Sequence, residues 1–177
     1  MSSLAVGSAV TSVLVAYATK YGSTQEVADA VAAALREHGA DVEVRAADDV
    51  RDVDRYSAVV LGGALYYFRW HRDARRFLTH HRVALARLPV AVFALGPLGD
   101  SAEELNEARG QLDRALAKAA WFLPASVAVF GGRLDPDRLR FPDANPAMKK
   151  VPASDLRDWD AIQDWADSLP EALGLDA

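Results

Sequence analysis

The sequence predicts an α/β domain in which a five-stranded parallel sheet is doubly wound, with helices on both faces. Two observations carry this. Short apolar runs rich in β-forming residues alternate with longer segments whose apolar positions recur every three or four residues. Parallel strands need a covering helix at each crossover, so such alternation closes only as a sheet buried on both sides. A third observation sets the scale. The chain has 177 residues with no repeat, low-complexity tract or linker, which suits one domain over 11–177. Residues 1–10 are small and mildly apolar and read as a loose N-terminal extension.

The first strand is Val13, Leu14, Val15, Ala16 and Tyr17, a run that suits burial on both faces. A helix follows at once, with Val27, Val31, Ala34 and Leu35 on its apolar stripe and His38 with Gly39 as its stop. Val42 to Ala46 alternates as the second strand. Ala58, Val59, Val60 and Leu61 form the third, ending in Gly62 and Gly63. The periodicity of Trp70, Ala74, Phe77, Leu78 and Leu85 predicts a helix over 69–85. Pro89 to Leu95 is the fourth strand, and Ser101 with Glu104 forms a capping box that opens a helix reaching about Trp121. Ser126 to Gly131 is the fifth strand. Residues 132–154 hold Pro136, Pro142, Pro146 and Pro152 and read as an irregular surface connection. The last helix starts near Asp158 and buries Ile162, Trp165, Ala166 and Leu169.

Composition excludes several chemistries. There is no cysteine, so disulfides, thiolate metal sites, iron–sulfur clusters and cysteine nucleophiles are ruled out. The four histidines show no HExxH or HxH pairing, and no metal site is expected. No apolar run approaches the roughly 20 residues that span a bilayer. The opening residues lack a basic start and an apolar centre, so a cytoplasmic location is the expectation. The net charge of −5 is uneven: the segment from Asp155 onward carries seven acids against Arg157, whereas residues 69–87 hold six arginines and one aspartate. That basic stretch is confined to one segment of an acidic chain, which argues against a nucleic-acid partner.

Ligands of a doubly wound sheet sit at the carboxyl ends of its strands, where the strand order reverses. Three loops leave such ends. The first holds Thr19, Lys20, Tyr21, Gly22, Ser23 and Thr24 and opens a helix. Amides and dipole at a helix start form an anion site, and three hydroxyls add neutral donors, which fits a phosphate monoester. The loop matches neither GxxxxGK[ST] nor GxGxxG. A plain helix cap would account for one of those hydroxyls. The second loop, Ala64, Leu65, Tyr66, Tyr67 and Phe68, is aromatic enough to stack on a planar ring, although Trp70 beside it reads as core. Gly62 and Gly63 either let backbone approach a ligand or simply end their strand. The third loop, Gly96, Pro97, Leu98 and Gly99, is nearly free of polar side chains and offers backbone groups to the edge of such a ring.

Phosphate on the first loop and a ring between the other two is the arrangement used for flavin mononucleotide (FMN), and the sequence resembles the flavodoxin-like family. Residues 19–24 look like that family's phosphate loop, usually Ser/Thr-x-Thr-Gly-x-Thr, with Tyr21 in place of the middle threonine and Ser23 where asparagine is common. The resemblance implies a strand order of 2-1-3-4-5. Within the family, residues 62–68 followed by His71 and Phe77, residues 129–134, and Asp158 to Asp160 are similar to the menaquinone-dependent protoporphyrinogen dehydrogenases of bacterial haem synthesis. An arginine of that subfamily's ring loop aligns with Tyr66, and its helical insertion before the last helix is cut down here to the proline-rich connection.

The resemblance implies an FMN-dependent oxidoreductase with a small-molecule substrate and a quinone acceptor. Peripheral contact with a membrane and the number of subunits stay open, and no catalytic side chain is singled out. Arg69, His71 and Arg72 are the candidate substrate contacts, suited to carboxylates, while a solvated helix face is the simpler reading of the arginines. His71, His80 and His81 otherwise read as surface or satisfied polar residues. Two other functions stay open: a flavodoxin-type electron carrier, and a flavin-free binding module on the same fold.

Overall fold

The computed structural model describes residues 10–99 and 101–176, so all of the expected N-terminal extension except Val10 lies outside the described residues. Strand β1 (Ser12–Ala18) leads into helix α1 (Ser23–Glu37), which ends at His38 and a left-handed Gly39. Strand β2 (Asp41–Ala46) follows, then β3 (Ala58–Tyr66) and a two-residue strand β4 (Arg69–Trp70). Helices α2 (Arg72–His80) and α3 (Arg82–Leu85) precede β5 (Val90–Leu95), and α4 (Ala102–Ala117) precedes β6 (Ser126–Phe130). The chain closes through β7 (Arg133–Leu134), α5 (Pro146–Lys149), β8 (Ser154–Asp155) and α6 (Trp159–Ala172).

The five long strands are parallel and lie in the order β2-β1-β3-β5-β6, the predicted order, while β4 adds a sixth, antiparallel strand to the end of β3. Apolar strands are covered on both faces. On one face Ala74, Phe77 and Leu78 of α2 and Leu112 and Leu116 of α4 pack on Leu14, Leu61 and Val92. On the other, Val27, Val31 and Leu35 of α1 and Ile162, Ala166 and Leu169 of α6 pack on Val13, Val15 and Phe93. Trp165, expected in that core, is half-buried against it.

Four expectations are corrected. The helix predicted over 69–85 is a strand and two helices. Trp70 fits a helical stripe and a strand equally well, and the chain turns back at Tyr67 and Phe68 before α2 begins. Gly62 and Gly63 neither end their strand nor open onto a ligand: β3 runs on to Tyr66, and both glycines are covered by aromatic side chains. A Cβ on Gly62 would overlap the Phe93 ring, and one on Gly63 would lie 2.6 Å from Trp70 Nε1. The helix expected to reach Trp121 stops at Ala117. The connection after β6 is less irregular than predicted, because β7 pairs with β8 antiparallel and α5 starts on the Asn145 side-chain cap.

Candidate functional site

The strand order reverses between β1 and β3, and the loops leaving β1, β3 and β5 converge above that point, as the topology requires. With the connection after β6 they enclose a cavity of about 480 Å³. That falls within the usual size of a cofactor pocket, roughly 300–1,000 Å³.

The first wall is the loop into α1. Gly22 caps the helix with φ of 92°, a left-handed conformation that costs glycine little, and no side chain satisfies the helix start. Its amide donates to Thr19 Oγ1 at 2.9 Å, which closes the loop. The first-turn amides of Ser23, Thr24 and Gln25 have no intrahelical acceptor, as at any helix start. The Thr24 side chain is fully buried, and its hydroxyl has no hydrogen-bond partner among the described residues. A buried polar group without a partner is rare and costs about 1–3 kcal/mol. An uncapped helix start beside an orphaned hydroxyl fits a phosphate group.

This turn is braced from behind by Arg157, whose buried guanidinium donates to the Ser23 carbonyl at 3.3 Å, to Asp155 at 2.7 and 2.8 Å, and to Glu26. Glu26 also meets Arg133 at 3.4 Å.

The second wall is the β3–β4 hairpin. Tyr66 pairs with Arg69, and the two-residue turn between them places Tyr67 at φ 45° and Phe68 at φ 65°. Paired positive φ values mark the turn that ordinarily takes Asn-Gly. In residues with a Cβ each costs about 1–2 kcal/mol. Yet these side chains project outward, 72% and 76% exposed, at the cavity mouth. Tyr66 is half-buried, edge-on to Tyr21 at 6.5 Å and to His71 at 6.3 Å, and burial pushes its hydroxyl up to about 12.

The third wall is residues 96–99 with α4. The Gly96 amide donates to Phe130 at 2.9 Å and the Pro97 carbonyl accepts from Gly132 at 3.0 Å. Both groups are therefore engaged within the fold, and Leu98 and Gly99 keep amides that no described residue accepts. Glu104, Glu107, Ala108 and Gln111 of α4 line the same side.

Of the residues singled out in the sequence, Tyr21, Ser23, Ala64, Leu65, Tyr66, Tyr67, Phe68, Gly96, Pro97 and Leu98 line one cavity. Thr19, Gly22 and Thr24 shape the loop beneath it. Lys20 is turned to Asp143, and Gly99 packs against the Glu104 carboxylate. Arg69, His71 and Arg72 are not among the lining residues; Arg69 and Arg72 are exposed, and His71 caps α2 by accepting from the Asp73 amide at 3.1 Å. Burial lowers the His71 pKa, which keeps the ring in the neutral form that can accept.

Sequence reasoning missed Asp143, which is 7% exposed and takes hydrogen bonds from Lys20, Tyr21 and Tyr67. Those of Lys20 and then Tyr21 hold its carboxyl below the usual carboxylate range. No local pattern marks it. The α4 wall did carry a signal, because positions 104, 107, 108 and 111 share one helix face next to the buried stripe at 108, 112 and 116. Among the described residues no helix is long and apolar enough to cross a membrane, and no cluster of three or more acids or histidines is arranged to hold a metal.

A family model described as "Flavodoxin domain" matches residues 14–153. The protoporphyrinogen IX dehydrogenase [quinone] of Escherichia coli is 24% identical over 132 residues, 73% of this chain and 73% of that protein. Among solved structures, a flavodoxin from the domain Archaea aligns with a TM-score of 0.58 at 15% identity, covering 93% of this chain and 99% of the other. The Streptococcus pneumonia flavodoxin aligns with a TM-score of 0.56 at 19% identity, covering 94% and 100%.

Proposed function

The chain belongs to the flavodoxin domain family, and on that footing we propose that it is an FMN-dependent oxidoreductase acting on a small molecule. Protoporphyrinogen IX or a related compound is the substrate class we assign, with a quinone as acceptor and the cytoplasm as location. The observation that carries the cofactor reading is the orphaned Thr24 hydroxyl at the uncapped start of α1. The substrate reading rests on the likeness to the E. coli quinone-dependent dehydrogenase.

In this reading Thr19, Ser23 and Thr24, with the amides of the first turn of α1, hold the phosphate. Lys20 is already paired with Asp143, so the phosphate meets neutral donors. Residues 64–68 lie along one side of the isoalloxazine, and residues 96–99 approach its pyrimidine edge, Leu98 and Gly99 offering amides. The flavin supplies the electron transfer, while the protein orients it and tunes it through hydrogen bonds. Tyr66, whose high pKa keeps the hydroxyl protonated at neutral pH, remains a donor at the cavity wall.

The test is a visible spectrum of the purified protein before and after incubation with FMN and desalting, followed by an assay of porphyrinogen oxidation with a quinone. Retained flavin bands with turnover are expected. A protein that holds no FMN would overturn the cofactor reading. Flavin uptake without small-molecule turnover, but with electron passage to a partner protein, would favour the carrier.

A further inference from the structure

The connection after β6 carries no strand of the main sheet, yet it covers the cavity with Arg138, Leu139, Asp143 and Met148. Asp143 Oδ2 accepts from Lys20 Nζ and from the Tyr21 hydroxyl, the latter at 2.5 Å, and Oδ1 lies 3.4 Å from the Tyr67 hydroxyl. Lys20 and Tyr21 belong to the loop after β1, and Tyr67 is at the tip of the hairpin after β3. Nearby, Arg138 approaches the Tyr21 carbonyl at 3.5 Å and the Arg140 amide meets the Tyr21 hydroxyl at 3.4 Å.

The sheet fixes where these two loops begin, but not how far apart their tips stand. Beyond the strand ends the tips are joined by the edge-on Tyr21–Tyr66 contact and by the one carboxylate. Hydrogen bonds to a charged acceptor are the strong ones, and bonds that share one acceptor can be worth more together than their pairs suggest.

We propose that Asp143 is a positioning residue for the flavin site, one that sets the separation of the phosphate loop and the β3–β4 hairpin and latches the 132–154 connection over the cavity. Cofactor then enters and leaves when the Asp143 contacts part. The proposal rests on the flavin reading, but the latch has a consequence of its own in the cofactor-free protein.

The experiment compares full-length wild type with Asp143→Asn, Asp143→Ala, Tyr21→Phe and Tyr67→Phe. Amide hydrogen exchange in the cofactor-free protein is expected to speed up about tenfold across 138–150 in Asp143→Asn, matching the loss of one charge-assisted hydrogen bond, with β1 and β5 unchanged. FMN release, followed by fluorescence, is expected to accelerate by a similar factor. Because Tyr67 has no acceptor left once the carboxylate is removed, the double variant Asp143→Ala/Tyr67→Phe is expected to release FMN no faster than Asp143→Ala alone. Unchanged exchange over 138–150, unchanged release, or additive effects in the double variant would overturn the proposal. If Asp143→Asn does not fold, Tyr21→Phe removes one bond to the same carboxylate without altering its charge and decides the question by the same two rates. If wild type takes up no FMN, the flavin reading falls by itself, and the exchange rates alone decide the latch.

Discussion

The indole N–H of Trp70 donates to the carbonyl of Gly63 at 3.0 Å. This bond pins the two-residue strand β4 beneath the end of β3 and so sets the pitch of the aromatic hairpin. Trp70→Phe keeps most of the buried surface and deletes the donor. It is expected to cost about 1 kcal/mol in urea unfolding. Gly63→Ala places a methyl against the indole and Ala74 and is expected to cost about 1–3 kcal/mol as overpacking. Both variants should also weaken FMN uptake, since Trp70 anchors the return strand of the hairpin.

Thr24→Val should move stability and binding in opposite directions. Valine matches threonine in shape and removes a buried hydroxyl that has no partner. Thermal unfolding of the cofactor-free protein is therefore expected at the same or a higher temperature, while FMN affinity falls about tenfold for the loss of one hydrogen bond to a charged group. A parallel fall in both would show that the hydroxyl serves the fold rather than the ligand.

The hairpin tip makes a similar trade. Replacing Tyr67 and Phe68 together by Asn and Gly gives the turn the residues its backbone conformation favours. The cofactor-free protein is expected to gain about 1 kcal/mol, and FMN affinity to fall with the loss of two aromatic faces. Chemical denaturation and fluorescence titration read the two effects separately.

Stability should depend on pH through two histidines. Burial lowers the pKa of His71 and of His81, the latter packed on Phe77 at 4.7 Å. A folded pKa below the unfolded value means that the unfolded chain binds more protons. Their contribution is complete above about pH 6.5 and is lost as the pH falls below it. Urea midpoints at pH 7.5 and 5.5 should differ in that direction. His71→Asn, which keeps a helix cap, combined with His81→Gln should flatten the slope.

Much of the fold was legible because β1, β3 and β5 are continuous apolar runs bounded by loops, a pattern few architectures accept. The loop after β1, which we propose to hold the phosphate, was legible as a candidate site because hydroxyls, a glycine and a helix start lie together in six residues. The hairpin was not, since Tyr67 and Phe68 occupy a turn whose usual signal is Asn-Gly and Trp70 satisfies a helical period as well as a strand. Asp143 and Arg157 were invisible for a different reason. Each acts on residues of the first loop from more than 120 positions away, and nothing in the neighbouring sequence records a contact made at that separation.

Neither of the two hydrophobic clusters that hold the sheet to its helices takes a residue from 131–160. The segment that roofs the cavity therefore lies outside the apolar core and is held to it by polar contacts instead. Its length and side chains can change at little cost to the apolar core, provided that the contacts of Asp143 and Arg157 with the loop after β1 are kept. Altering this segment around those two anchors is a direct route to changing what the cavity admits.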